Sequence, residues 1–152
     1  MVRDYSQVLA DIEMAIEGED DWVAILATVV CELHKSFEDF HWTGFYRVTS
    51  PGVLKVGPYQ GGHGCIEITF DRGICGTCAT TQKTQLVDDV DQREDHIACS
   101  SSTMSEIVVP VVTEDGRLLA VLDIDSDNEA AFDENDKENL EALCALLATQ
   151  FR

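Results

Sequence analysis

The chain has 152 residues, 45% of them hydrophobic and 26% charged, and its ten Lys/Arg against 29 Asp/Glu leave a net charge of −19. Length and apolar content suit one domain, residues 1–152, with a real core, and they argue against disorder. The sign of the charge argues against a nucleic-acid partner and an anionic membrane surface, and no apolar run is long enough to span a bilayer. The first residues lack an apolar signal core, so the expected location is cytoplasmic.

The first 40 residues read as helical. Tyr5, Val8, Ile12 and Ala15 fall at helical spacing over residues 4–16, and Gly18 stops the run. Asp20 or Asp21 can cap a second helix, whose stripe is Trp22, Ile25, Leu26, Val29, Val30, Leu33 and Phe37. Cys31 and His34 lie at the edge of that stripe and read as a core thiol and a surface imidazole. After residue 40 the period changes to that of strands, at 43–48 and 53–56 around the Ser50-Pro51-Gly52 turn, and at 65–70. A short helix over 75–82 and a brief strand over 85–90 follow. Residues 107–112 and 118–124 are dense in β-branched residues, with Asp115-Gly116 between them as a hairpin turn. Asp133 is a plausible N-cap for a last helix, with Leu140, Leu143, Cys144, Leu147 and Phe151 as its buried stripe. Cys144 reads as structural. Helices at both ends of a mainly antiparallel sheet define an α+β fold.

The hairpin permits a sharper inference. A two-residue Asp115-Gly116 loop pairs Glu114 with Arg117 and carries the register back until Glu106 faces Asp125 and Val108 faces Asp123. Strand alternation then puts Glu106, Asp123 and Asp125 on one face. Like charges placed opposite each other are unfavourable, so such a group needs a cation, a shared proton or bulk water. The apolar neighbours Val108, Val109, Val121 and Leu122 favour a lined pocket over a solvated edge. Such a pocket suits a ligand with an ammonium group, or an acceptor that must be protonated.

Cys65, Cys75, Cys78 and Cys99 fall close together in the middle of the chain, and three readings compete for them. Cys75-x-x-Cys78 can be one knuckle of a zinc site completed by Cys65, Cys99, His63 or His96, but no second knuckle accompanies it. Cys75-Gly76-Thr77-Cys78 also has the spacing of a redox dithiol at a helix start, without the βαβ context that motif requires. The third reading is a nucleophilic cysteine in a loop, resolved by a distant partner. Cys99 fits it best, in the polar loop His96-Ile97-Ala98-Cys99-Ser100-Ser101-Ser102, where His96 and Arg93 can favour the thiolate.

Several segments then match one known pattern in order. They are Trp42-Thr43-Gly44-Phe45-Tyr46, Val56-Gly57-Pro58-Tyr59-Gln60-Gly61, Cys65, Arg72-Gly73-Ile74-Cys75-Gly76-Thr77, His96-Ile97-Ala98-Cys99, Ser105-Glu106-Ile107-Val108 and Leu122-Asp123-Ile124-Asp125-Ser126. Over residues 5–150 the chain resembles the free methionine-(R)-sulfoxide reductases, single-domain proteins of the GAF fold. The resemblance implies a six-stranded antiparallel sheet flanked by helices. It implies free L-methionine (R)-sulfoxide as substrate, a thioredoxin-like protein reductant, and neither cofactor nor metal. By the same likeness Cys99 is the catalytic cysteine, Cys65 the resolving cysteine and Cys75 an auxiliary one. Trp42 and Tyr46 surround the substrate methyl group, and Glu106, Asp123 and Asp125 bind its polar groups. Spacing adds that Trp42 and Tyr46, at i and i+4 of a strand, share a face and can sandwich a methyl group. A homodimer is plausible. Cys78 departs from the pattern and reads as a bystander, or as an exchange partner for Cys75. The rival function is a GAF module that binds a ligand without chemistry, although three acids disfavour a cyclic nucleotide phosphate.

Overall fold

The computed structural model describes residues 2–97, 99 and 101–152. Ala98 of the His96–Cys99 motif and Ser100 of the loop after it lie outside the described residues. The elements, in chain order, are α1 (Ser6–Ile16), α2 (Trp22–Ser36), β1 (Trp42–Ser50), β2 (Val53–Gln60), β3 (Glu67–Thr69), α3 (Gly73–Thr81), β4 (Gln85–Val87), β5 (Ser105–Val112), β6 (Leu118–Ser126) and α4 (Glu134–Gln150), with a 3₁₀ turn at Val90–Gln92. The six strands form one antiparallel sheet in the order β3-β2-β1-β6-β5-β4. A six-stranded antiparallel sheet flanked by helices is the α+β architecture expected from the sequence. Among the described residues, no helix is long and apolar enough to cross a membrane.

The helix ends follow their capping chemistry. Asp21 accepts from the Ala24 amide at the start of α2, and Asp133 and Asp136 close a capping box at the start of α4. Asp136 is buried and also accepts from the Tyr5 hydroxyl (2.6 Å) and from Arg3 (2.7 Å), which ties the N-terminal segment to α4. Arg3 additionally pairs with Asp39. In α1 the buried stripe is Tyr5, Val8, Ile12 and Ile16, not Ala15, because the larger side chain turns inward at the last turn. Cys31 is exposed rather than a core thiol, while His34 is half-buried and its Nδ1 lies 3.1 Å from the Thr43 hydroxyl.

Alternation along the central strands separates two cores. Phe45, Ile107, Val109, Val111, Ala120, Leu122 and Ile124 face the helical layer of α1, α2 and α4. Trp42, Tyr46, Val108 and Val121 face the other way, toward α3 and the loops around it. The acids share this second face.

The β5–β6 register has Glu106 opposite Asp125 and Val108 opposite Asp123, as read from the sequence. The turn itself differs. Thr113 donates to the Arg117 carbonyl and Gly116 (φ 89°) to the Thr113 carbonyl, so the loop is Glu114-Asp115-Gly116. That shifts the pairing by one residue, to Val112 opposite Leu118. A bulge then shifts it back, with Val111 opposite Ala120. The two departures cancel before the strands reach the acids.

Candidate active site

β1 pairs with β6 so that Trp42 faces Asp125, Gly44 faces Asp123 and Tyr46 faces Val121. β5 then brings Glu106 beside Asp125. Three adjacent strands thus deliver two aromatics and three acids to one face. α3 lies across that face with Cys75 and Cys78 turned inward. The expected strand over 65–70 shortens to Glu67–Thr69 and leaves Cys65 in a loop, from which it reaches Cys99. The two are joined by a disulfide, with Cα atoms 5.4 Å apart and 34 positions between them in sequence.

One cavity of about 30 Å³ collects Trp42, Tyr46, Cys75, Cys99, Glu106, Asp123 and Asp125. His63, His96, Ile97 and Thr103 are also part of its wall. Of the residues that the resemblance assigned to the site, Cys65 alone is not among its lining residues, and Cys65 is bonded to one that is. Asp125 also lines an outer cleft with His41, Ser102 and Asp127, so it stands at the mouth while Glu106 and Asp123 lie deeper.

The acids are held far from their ordinary state. Burial, first of all, raises the pKa of Glu106, Asp123 and Asp125 well above the usual carboxylate range, and their mutual repulsion adds to it. They titrate as one coupled group, each acid binding its proton more tightly than a free carboxylate. The three carboxyl groups hydrogen-bond one another, and Asp123 also meets the Cys75 thiol. Burial and the same acids push the Cys75 thiol up, and burial pushes up Cys78. The CxxC pair therefore lacks the stabilised thiolate of a redox dithiol. Cys78 instead donates to the Val108 carbonyl at 3.6 Å. The zinc-knuckle reading also fails as drawn, since Cys65 and Cys99 bond to each other and Cys78 turns away.

The aromatics anchor the loop that carries Cys65. The Trp42 indole donates to the Gly62 carbonyl (2.8 Å), and the Cys65 backbone amide hydrogen-bonds the Tyr46 hydroxyl. Gly64 packs so closely that a Cβ there would lie 2.7 Å from Trp42 Cζ2 and 2.9 Å from the Tyr46 hydroxyl. Trp42 and Tyr46 stack at 5.6 Å between ring centroids, and Tyr59 stacks on Trp42 at 5.2 Å. The two rings therefore touch each other. No methyl group fits between them, and the expected sandwich is replaced by a continuous aromatic wall.

Arg93 does not face Cys99 as a free cation. Its guanidinium is held by Asp95 at 2.6 and 2.8 Å. His96 does line the cavity, with Nδ1 3.9 Å from Glu106.

The chain matches the GAF domain family over residues 19–150. It is 41% identical over 147 residues to the free methionine-R-sulfoxide reductase of Saccharomyces cerevisiae, covering 93% of this chain and 82% of that one. It is 35% identical over 143 residues to that of Escherichia coli, covering 94% and 86%. Among solved structures it superposes on the free methionine-R-sulfoxide reductase of Neisseria meningitidis in complex with its substrate. There the TM-score is 0.92 at 44% identity, covering 99% of this chain and 92% of that one. The chain belongs to the free methionine-R-sulfoxide reductases, a GAF-domain family of oxidoreductases.

Proposed function

We propose that this chain, as a single GAF domain, reduces free L-methionine (R)-sulfoxide to L-methionine. The observation that carries the reading is one cavity shared by Cys99, already joined to a second cysteine, and by three buried carboxyl groups that bind their protons more tightly than free carboxylates do. A sulfoxide sulfur becomes electrophilic when its oxygen accepts a proton. The Cys99 thiolate attacks that sulfur while a protonated acid of the group supplies the proton. Methionine leaves, the oxygen stays on Cys99 as a sulfenic acid, and the Cys65 thiol displaces it as water to form the Cys65–Cys99 disulfide. A thioredoxin-like protein then returns both sulfurs to thiols.

The remaining roles follow from position. Ionised members of the acid group hold the substrate ammonium, with Asp125 at the mouth the first to meet it. The Trp42–Tyr46 wall covers the methyl and methylene groups. Cys75, under the same acids, is an auxiliary thiol that can meet Cys65 or Cys99 when their bond is open. The cavity in the disulfide form accommodates water but not an amino acid. The structure, with Cys65 and Cys99 joined, suits the end of the cycle, and reduction of that bond precedes the next turnover. The expected setting is the reducing cytoplasm, and a homodimer is the expected assembly.

A thioredoxin-coupled assay tests the proposal directly. Free methionine (R)-sulfoxide should be consumed, while the free (S) form and a peptide-bound sulfoxide should not. Equal rates on the peptide would overturn the substrate assignment. Cys65→Ser should form about one methionine per chain and then stall with thioredoxin. Mass spectrometry of the stalled protein should show Cys99 oxidised or bonded to Cys75. Sustained wild-type turnover would remove Cys65 from the cycle.

A further inference from the structure

The segment that carries Cys99 is not held by regular structure. Between the 3₁₀ turn and Ser105, where β5 starts, the described residues form neither helix nor strand. One carboxylate ties the segment down instead. Asp95 accepts from Arg93 through both oxygens, Oδ1 from Nε at 2.8 Å and Oδ2 from Nη2 at 2.6 Å, and Oδ2 also accepts from the Thr77 hydroxyl of α3 at 2.7 Å. Nη2 of Arg93 reaches on to Gln85 Oε1 of β4 at 3.2 Å. The Arg93 bonds come first among the effects that hold the Asp95 carboxyl below its ordinary range, so it remains an ionised acceptor. Two residues on, Ile97 lies against Gly73, where a Cβ would come within 2.8 Å of Ile97 Cδ1. Gly73 and Thr77 are one turn apart on α3, and the Gly73 carbonyl is 3.1 Å from the same Thr77 hydroxyl. Asp95 and Ile97 thus grip one face of α3, and the Cys99 amide donates back to the Ile97 carbonyl at 3.0 Å.

Cys65 is anchored separately, through the Tyr46 hydroxyl and the Trp42–Gly62 hydrogen bond. The disulfide therefore joins two segments fixed to different elements, one to β1 and one to α3. Two thiols close into a disulfide in proportion to their effective concentration, and each anchor raises it by shortening the tether and fixing its direction. We propose that Asp95 is a positioning residue: by latching the Cys99 segment onto Thr77 it sets how readily the Cys65–Cys99 bond closes. Asp95 does not line the cavity, so it acts through the segment and not on the reacting atoms. Closing the bond takes two electrons and two protons from the Cys65 and Cys99 thiols. Oxidised glutathione accepts them and becomes two glutathione thiols, whereas in the cycle the same closure expels the sulfenic oxygen as water. The latch's part in turnover rests on the cycle proposed above, while its test needs only the disulfide.

A glutathione redox titration of the full-length protein provides the test, with the paired fraction of Cys65 and Cys99 read by mass spectrometry after acid quenching and alkylation. Asp95→Ala should lower the equilibrium constant for closing the bond at least about fivefold. Thr77→Val, which keeps the shape and removes the hydroxyl, should lower it in the same direction, and the double variant should fall no further than Asp95→Ala. Glu94→Ala removes an exposed charge from the same segment and should leave the constant at the wild-type value. A merely structural role would lower the melting temperatures of the oxidised and reduced forms alike without moving the constant. The proposal is overturned by a constant within about twofold of wild type in Asp95→Ala, by full additivity in the double variant, or by the same fall in Glu94→Ala. If Asp95→Ala does not fold, Thr77→Val decides, and an unchanged constant there overturns the latch. No sulfoxide is added, so this test can fail while the proposed reaction stands, and absence of sulfoxide turnover leaves its outcome readable.

Discussion

Cys99→Ser should lower turnover of free methionine (R)-sulfoxide at least about 10³-fold, measured as methionine formed with dithiothreitol as reductant. A serine hydroxyl is scarcely ionised where a thiol can be, and oxygen is a poor nucleophile toward sulfoxide sulfur. The substitution is small, and the Cys99 sulfur has Cys65 as its bonding partner, so the fold should persist. Stability must be compared with reduced wild-type protein. Relative to the oxidised form the variant also lacks a cross-link across 34 positions, which in the chain-entropy picture contributes about 3–4 kcal/mol. Wild-type turnover in this variant would end the proposed mechanism, and the cavity would then be that of a ligand receptor.

Glu106→Gln should move activity and stability in opposite directions. Loss of a proton donor and of one negative charge should reduce kcat/KM about 10²-fold or more. The same change removes a buried acid whose pKa is raised first by burial and then by Asp123. A carboxyl group that binds its proton more tightly when folded stabilises the protein fully below its unfolded value of about 4, and that contribution is lost as pH rises through the folded value. Wild-type stability should therefore fall more steeply than that of the variant as pH rises above about 5. At alkaline pH we expect the glutamine protein to be more stable by about 1 kcal/mol, or roughly 2–4 °C in Tm. Melting curves across pH, read beside kinetics at each pH, check both halves. Near-normal kinetics would remove Glu106 from the chemistry, and parallel stability curves would contradict its buried, proton-retaining state.

Much of this site was legible before any coordinates, and the reasons are local. The acids were found because a period of two is rigid: once the hairpin register is known, Glu106, Asp123 and Asp125 must share a face. The register nevertheless came out right through two compensating steps, a three-residue loop and a bulge, that no periodicity signals. β2 runs to Gln60, past the end at residue 56 expected from the sequence and through Gly57 and Pro58. Beyond Lys55 its far side has left the β3 ladder, and proline is tolerated on such an edge. The strand expected over 85–90 ends at Val87, where Asp89 caps a 3₁₀ turn instead. His63, Ile97 and Thr103 were missed as cavity walls because they lie on irregular segments whose facing has no repeat to read. The stacked Trp42–Tyr46 pair shows the same limit one level up: spacing gives the shared face, but ring orientation depends on Tyr59 and the Gly64 loop.

The sheet also acts as a partition, with a consequence for how such a protein can change over generations. Residues such as Ile12 and Leu143 belong to a core that shares no side chain with the one containing Ile74 and Val108. Paired substitutions taken from opposite sides should combine additively, whereas pairs from the chemistry side should show epistasis. Selection for heat tolerance can then draw on the helical layer without retuning the proton-holding acids, and the thiol side can acquire new specificities without first rebuilding its support.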